Sequence, residues 1–231
     1  PKGSKKIAVL YALGDITEDG EDGIASSRLV PQILDLAKDD DVDGLILRVN
    51  SGGGSAFASE QIWEALQQFK KLTGKPFYVS MGDVAASGGY YISCGADRIY
   101  AEPLTLTGSI GIFGLIPNAQ KLLNDKLGVH TATVATNTGS FPELFKPMPA
   151  PQREAMQGYV NRGYKLFAER CAAGRHLPVD SIYAIAQGRV WDGASAHEIG
   201  LVDKMGGLQL AISDMAAELD AADDYRVVSY P

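Results

Sequence analysis

The sequence is poor in the features that define several special classes of protein. It contains no run of about 18 apolar residues, so no part of it is expected to span a membrane as a helix. Its two cysteines, Cys94 and Cys171, lack metal-ligand spacing and are expected to be buried and inert. The formal net charge of −7 disfavours nucleic acid and anionic membrane surfaces as partners. No pattern in the chain predicts a metal or an organic cofactor.

The chain of 231 residues is 45% hydrophobic, which suffices for one sizeable core, and we expect a single domain over 1–231. Apolar patterns predict strands at 6–13, 44–49 and 77–79, with amphipathic helices at 27–38 and 56–72 between them. Strands that alternate with helices pair in parallel through right-handed crossovers. The first part of the chain therefore predicts an α/β fold.

The second part of the chain gives a less regular pattern. We expect a glycine-punctuated strand and turn at 104–113, a helix at 118–127 and an extended segment at 130–135. The stretch 136–151 is rich in Thr, Gly and Pro and has no period, which predicts a long surface loop before a helix at 152–173.

The most informative stretch is 79–95, VSMGDVAASGGYYISCG, which places Ser87 where a predicted strand gives way to a helix. Unpaired backbone N–H groups and the positive end of the dipole at a helix N-terminus would stabilise an alkoxide there. The small neighbours Ala86, Gly88 and Gly89 would admit a substrate backbone. The pattern resembles a nucleophile elbow, with Ala in place of the first glycine of G-x-S-x-G. The alternative is an ordinary N-cap serine beside small packing residues.

A second glycine-rich stretch, NSGGGS at 50–55, directly follows a predicted buried strand. Its backbone N–H groups would lie at the carboxyl end of the sheet, where α/β folds bind ligands. They could form an oxyanion hole together with the amide of Gly88. A flexible turn or a phosphate cradle are the alternatives, although no Gly-Lys-Ser/Thr follows to make a Walker loop.

A serine hydroxyl needs a base to become a good nucleophile. The chain has three histidines, His130, His176 and His197, and none lies in a stretch that resembles a triad partner. We expect each to have a surface or packing role. A lysine kept neutral by burial would serve instead, as in serine-lysine hydrolases.

Taken together, these stretches resemble the signal peptide peptidase A family of serine-lysine proteases. The similarity extends over nearly the whole chain. It is carried by NSGGGS at 50–55, MGDVAASGGYYIS at 81–93, LTGSIGIF at 106–113, GYKLF at 163–167, GRVWDG at 188–193 and GLVDKMGG at 200–207. The long form of this family has two similar halves in tandem, and this chain resembles the carboxyl-terminal half of a longer protein.

The resemblance implies roles for individual residues. Ser87 matches the nucleophile, and Gly53 and Gly88 match the oxyanion-hole amides, with Gly54 as the alternative if the register is shifted by one. Ser109 matches a serine that hydrogen-bonds the general-base lysine and orients it. A glycine at position 52 replaces the proline that is usual in N-S-P-G-G, which loosens this turn.

The base lysine is where this sequence departs from single-half members of the family. Those members carry it in the loop that corresponds to 136–151, where this chain has Gly139 or Ser140 in the equivalent place. In two-half members the lysine comes from the amino-terminal half, and this chain follows that pattern. Lys146, the lysine within the loop, is a second candidate. The segment alone is therefore expected to have little or no peptidase activity.

The resemblance also implies a fold and a setting. The fold would be the spiral of ββα units shared by Clp peptidases and crotonases, without cofactor or metal. The activity would be hydrolysis of cleaved signal peptides left in the membrane, on the periplasmic, exported face of the inner membrane. The partners would be peptide substrates, the amino-terminal half and further copies, as a homo-oligomer such as a tetramer of two-half chains. A crotonase-like acyl-CoA enzyme and an inactive scaffold domain are the alternatives.

Overall fold

The computed structural model describes residues 3–134, 136 and 142–231. The chain forms two compact units, one made of Pro1–Gly111 with Leu166–Pro231 and the other of Ile112–Lys165. The first unit contains Ser87, Gly53, Gly88 and Ser109. Gly139 and Ser140, which correspond to the place of the lysine in single-half members, lie outside the described residues.

The described residues of the first unit form ten strands, and eight of these pair in one sheet. The strands are β1 (Lys5–Leu13), β2 (Ile16–Thr17), β3 (Ile24–Ala25), β4 (Val42–Ser51), β5 (Phe77–Ala86), β6 (Arg98–Ala101), β7 (Leu106–Gly108), β8 (Val190–Asp192), β9 (Lys204–Met205) and β10 (Tyr225–Tyr230). The order in the sheet is β10-β1-β4-β5-β6-β9, with β7 paired to the far end of β5 and β8 paired to β7. Strands β2 and β3 form a separate two-stranded sheet.

The pairing is parallel throughout the main path of the sheet, as the alternation of strands and helices predicts. Only β8 runs antiparallel to its partner β7. The inner strands β1, β4 and β5 are largely buried, which suits a parallel sheet covered on both faces. Because these strands run in one direction, β4 and β5 end at the same edge, and Ser51 pairs with Ala85 there.

Helices cover both faces of the sheet. They are α1 (Ser26–Lys38), α2 (Ala56–Thr73), α3 (Gly88–Ser93), α4 (Ala150–Arg175), α5 (Val179–Ile185), α6 (Gly193–Glu198) and α7 (Leu208–Glu218). On one face, Met215 of α7 packs with Ile46 of β4 and Tyr78 of β5. The neighbours of Ile46 along the strand, Leu45 and Leu47, point to the opposite face and are also fully buried.

In the first unit, β5 and α1 depart from the sequence-based expectation. Strand β5 continues to Ala86 rather than ending at 79, because the Asn50 side chain accepts a hydrogen bond from Val84 N–H (3.0 Å) and supports the extended backbone. Helix α1 begins at Ser26, one residue before the predicted start, with Ala25 as its N-cap and without a side-chain cap. The Ser26 hydroxyl instead donates to the Gln61 side chain of α2 (2.8 Å).

The second unit has little regular structure before α4. A π-helical turn at Leu122–Leu127 replaces most of the helix predicted at 118–127, and the described residues 130–134 form no strand. None of the described residues of Ile112–Lys165 is buried. Across the part of the chain that the structure describes, no helix combines the length and the apolar character needed to cross a bilayer.

Candidate active site

Ser87 lies between the end of β5 and the start of α3, in an unusual backbone conformation. Its φ is 53° and its ψ is −120°, which a residue with a side chain rarely adopts. Its N–H donates to Gly108 O (2.9 Å), and its carbonyl accepts from Tyr91 N–H (2.9 Å). The hydroxyl does not cap α3, and no other described residue bonds to it. Ser87 is therefore not an ordinary N-cap serine.

The glycines after Ser87 allow α3 to approach its neighbours closely. A Cβ on Gly88 would lie 2.6 Å from the Ser59 hydroxyl oxygen of α2, and one on Gly89 would lie 2.6 Å from Ser51 O of β4. Side chains at these positions would push α3 away from the sheet. The small residues around Ser87 thus fix the position of the helix that follows it.

The glycine turn after β4 lies directly against Ser87. Gly53 has a φ of +105°, and a Cβ there would lie 2.7 Å from Gly88 N and 2.9 Å from Ser87 Cβ. Gly54 has a φ of +154°, and a Cβ on it would lie 2.1 Å from Ile16 O. Strand β2 holds the turn, because Ile16 N–H donates to Gly53 O (2.9 Å). The two glycine-rich stretches predicted to share a site do lie together.

The amides at this junction differ in their hydrogen bonds. Gly53 N–H donates to the buried Ser51 hydroxyl oxygen (3.1 Å). Gly88 N–H, the first of α3, has no acceptor among the described residues, as is usual for the first N–H groups of a helix. Of the two predicted oxyanion donors, Gly88 N–H is therefore without a described acceptor, and Gly53 N–H is bonded to a neutral hydroxyl.

Ser109 is joined to Ser87 through the backbone. It follows β7, whose Gly108 pairs with Ala86 at the end of β5. Ser109 itself has a φ of 49°, and its N–H donates to Arg189 O (2.7 Å). Gly108, whose carbonyl oxygen accepts the Ser87 N–H, directly precedes Ser109. The pairing of β5 with β7 therefore ties the backbone at Ser109 to the backbone at Ser87.

Beneath α3 lies a polar network that no sequence motif indicated. The Tyr91 hydroxyl donates to the Glu60 carboxylate of α2, and Arg170 of α4 donates to the other oxygen of Glu60 (2.7 Å). The Arg170 guanidinium lies 3.9 Å from the ring centroid of Trp63. Burial raises the pKa of Tyr91, and its bond to the carboxylate raises it further. The network fastens the helix that follows Ser87 to α2 and α4.

The other candidate bases have different surroundings. Lys146 belongs to the second unit, where its side chain is 43% exposed and its Nζ lies 3.8 Å from Glu143 Oε1. His197 Nδ1 bonds to Val202 O (3.0 Å), while His130 and His176 are exposed. Within the described ranges, no group of three or more His, Cys, Asp or Glu side chains could hold a metal ion.

Comparison with known proteins identifies the family of the chain. The model of peptidase family S49 matches residues 69–222, and a Clp protease model matches residues 15–104. The chain is 39% identical over 227 residues to Protease 4 of Haemophilus influenzae, covering 97% of this chain and 37% of the relative. It is 35% identical over 229 residues to a putative signal peptide peptidase SppA of Enterococcus faecium, covering 95% of this chain and 65% of the relative.

A solved structure with the same fold is a ClpP1 variant of Listeria monocytogenes. Its TM-score is 0.59 at 15% identity, over 88% of this chain and 94% of that one. The expected Clp-peptidase fold is thereby confirmed. The chain spans just over a third of the length of the Haemophilus relative. The family model covers most of the chain, including Ser87 and Ser109, and the chain belongs to peptidase family S49.

Proposed function

We propose that this protein is a serine peptidase with Ser87 as its nucleophile. The observation that carries the proposal is the conformation of Ser87 at a strand-to-helix junction, where its hydroxyl bonds to no other described residue. A partly accessible hydroxyl beside the first amides of a helix is what attack on a peptide carbonyl requires. Membership of a peptidase family supports the same chemistry.

The oxyanion hole of this proposal consists of the amides of Gly53 and Gly88. Gly88 N–H is already free, and Gly53 N–H is bonded to the Ser51 hydroxyl. A negatively charged oxygen is a stronger acceptor than a hydroxyl, so a tetrahedral intermediate would compete well for the Gly53 amide. The amide of Gly54 is the alternative donor.

The general base in this proposal is a lysine supplied by an amino-terminal half, with Ser109 as the residue that orients it. Three observations support a base from outside the segment. No described side chain bonds to the Ser87 hydroxyl, and Lys146 is neither buried nor free of a carboxylate. The chain also spans only 37% of the Haemophilus relative. Burial between two halves would lower the pKa of such a lysine toward neutrality.

The reaction then follows the usual two steps. The lysine amine takes the proton of the Ser87 hydroxyl as the oxygen attacks the substrate carbonyl, and the two amides stabilise the oxyanion. The lysine returns the proton to the leaving amine, which leaves an acyl group on Ser87. Water attacks that ester while the same lysine takes its proton, and the lysine then gives this proton to the Ser87 oxygen as the acyl–oxygen bond breaks and the carboxylic acid product departs.

The substrates we propose are signal peptides after their cleavage, at the exported, periplasmic face of the inner membrane. This part of the proposal rests on the name of the Enterococcus relative, a putative signal peptide peptidase. We also propose a homo-oligomer. Phe113, Leu115 and Val134 of the second unit are 89%, 85% and 100% exposed, and apolar side chains left open to this extent favour a partner surface.

The test is covalent labelling with a fluorophosphonate and mapping of the adduct by mass spectrometry. Both the natural full-length polypeptide and the 231-residue segment are treated, with Ser87→Ala as the negative control and Ser27→Ala, an exposed serine of α1, as the matched control. We expect Ser87 to be labelled in the full polypeptide and only weakly in the segment.

Each other outcome has a distinct meaning. Equal labelling of both forms would place the base within these residues, and Lys146→Ala would then have to abolish it. Peptide cleavage without any adduct on Ser87 would overturn the nucleophile assignment. Acyl-CoA turnover in place of peptide cleavage would favour a crotonase-like enzyme, and the absence of both activities would favour a scaffold domain.

A further inference from the structure

The carboxyl end of α5 is capped by the side chains of Arg189, just before β8, and Trp191, within β8. The last carbonyls of a helix have no partner within it. Here the Arg189 guanidinium donates to Ala186 O (3.0 Å) and to Ala184 O, and the Trp191 indole donates to Ile185 O (3.1 Å). Three consecutive carbonyls are thus satisfied by two side chains of the segment that forms β8.

The turn between α5 and β8 needs this support. Gln187 and Gly188 both have a positive φ, 64° and 74°, which reverses the chain within two residues. A left-handed conformation is unfavourable for a residue such as Gln187. Arg189 follows the turn, and its bonds to Ala184 O and Ala186 O, which precede the turn, hold the reversal in place.

This closed turn leads directly to the candidate site. Arg189 O accepts the Ser109 N–H (2.7 Å), and Ile110 O accepts the Gly188 N–H (3.0 Å). The Trp191 ring lies on Gly108, where an added Cβ would come within 2.8 Å of its Cδ1. Gly108 in turn holds the Ser87 N–H (2.9 Å).

We infer that Arg189 and Trp191 are positioning residues for the peptidase reaction: by closing the end of α5 they fix the backbone of Gly108 and Ser109, and thereby the orientation of Ser109 toward the base. The inference rests on the proposed function of Ser87 and Ser109. It assigns a purpose to GRVWDG at 188–193, a stretch that the catalytic proposal leaves unused. Neither side chain touches the reacting atoms.

The test uses the full-length polypeptide with Arg189→Met, which keeps the length of the side chain and removes its donors. Trp191→Phe keeps a ring against Gly108 and removes the indole donor. Arg28→Met is the matched control, because Arg28 is also exposed and also donates to a backbone carbonyl, that of Gly23 (2.9 Å). The readouts are the rate of fluorophosphonate labelling against pH, amide hydrogen exchange at Ser109, and the thermal unfolding midpoint.

We expect Arg189→Met to slow labelling about tenfold, to shift the midpoint of its pH profile by about half a unit, and to speed exchange of the Ser109 amide. Trp191→Phe is expected to do the same to a smaller extent. Arg189→Lys, which retains one donor, should recover part of the rate. Arg28→Met should leave labelling unchanged.

The outcomes distinguish the positioning role of Arg189 and Trp191 from the peptidase proposal on which it rests. If the unmodified protein is labelled at Ser87 but Arg189→Met changes neither the rate nor the pH midpoint, the positioning role is refuted and the peptidase proposal stands. A lower rate with an unshifted midpoint and a lowered unfolding temperature would show a purely structural role and would also refute it. If unmodified Ser87 is not labelled at all, both fail together.

Discussion

The two compact units of the chain differ in where their apolar side chains lie. In the first unit, side chains such as Ile46 and Tyr78 are fully buried, and glycines at the site allow backbones to touch. In the second unit, none of the described residues is buried, and Phe113 and Leu115 are almost fully exposed. The first unit is stabilised by its own core, whereas the second leaves these large apolar side chains open, and the homo-oligomer proposed above would cover them.

The largest expected effect comes from the contact between the glycine turn after β4 and the start of α3 in the first unit. Gly53→Ala would place a Cβ 2.7 Å from Gly88 N at a φ of +105°, so the turn or α3 would have to move. We expect loss of Ser87 labelling by a factor of about 100 or more, as when an oxyanion-hole donor is removed. Gly52→Ala is the control, since a Cβ there meets nothing within 4 Å. Unchanged labelling in Gly53→Ala would show that this contact is unimportant.

A second prediction tests the network under α3 in the first unit. Glu60→Gln would replace the carboxylate that holds the Tyr91 hydroxyl and Arg170, and leave the guanidinium without its counter-charge. We expect a loss of about 1–3 kcal/mol in the free energy of unfolding, measured by urea denaturation. Glu154→Gln, in the exposed part of α4, should change it by less than about 0.5 kcal/mol. Equal effects of the two would contradict the network's role.

A third prediction sharpens the comparison from the side of the second unit. The double substitution Phe113→Ser with Leu115→Gln should weaken self-association without lowering the unfolding midpoint, because these side chains add nothing to a buried core. Sedimentation velocity over a range of concentrations measures it. Leu72→Gln, at a 70% exposed leucine of the first unit, is the control and should leave association unchanged. An unaltered oligomer in the double variant would refute the assigned surface.

The smallest expected effect concerns acid stability of the first unit. The Lys204 ammonium and the Tyr100 hydroxyl bond to the Asp214 carboxylate (2.6 and 2.7 Å), and the bond from Lys204 lowers the pKa of Asp214 below its ordinary 3.8. A group with a lowered pKa stabilises the fold above about pH 4 and loses that contribution as pH falls through the folded-state value. Asp214→Asn should flatten the stability curve between about pH 4 and pH 2. An unchanged slope in circular dichroism titrations would contradict this.

The sequence was sufficient for features that depend on neighbouring residues. The alternation of predicted strands and helices predicted the parallel sheet, and the small residues around Ser87 and in 50–55 predicted two turns at one sheet edge. The limits of β5 were wrong because the bond from Val84 N–H to Asn50 depends on a partner far along the chain.

Contacts between distant segments were beyond prediction for the same reason. Arg170 and Glu60 are 110 positions apart, and the carbonyl that holds the Ser109 amide belongs to Arg189. Each of these residues alone has an unremarkable side chain and no local spacing that would indicate its partner. The base of the reaction stays a prediction, since its candidate within the chain, Lys146, lies in the separate second unit.

The backbone conformation of Ser87 has a consequence for the timing of the proposed reaction. A residue held at a φ of 53° carries a strain on the order of 1–3 kcal/mol, which the bonds to Gly108 and Tyr91 maintain. This strain free energy is offset when the chain folds, so it does not arise again at each encounter with a substrate. In the proposed reaction, an encounter with a peptide therefore requires no rearrangement of the Ser87 backbone before attack.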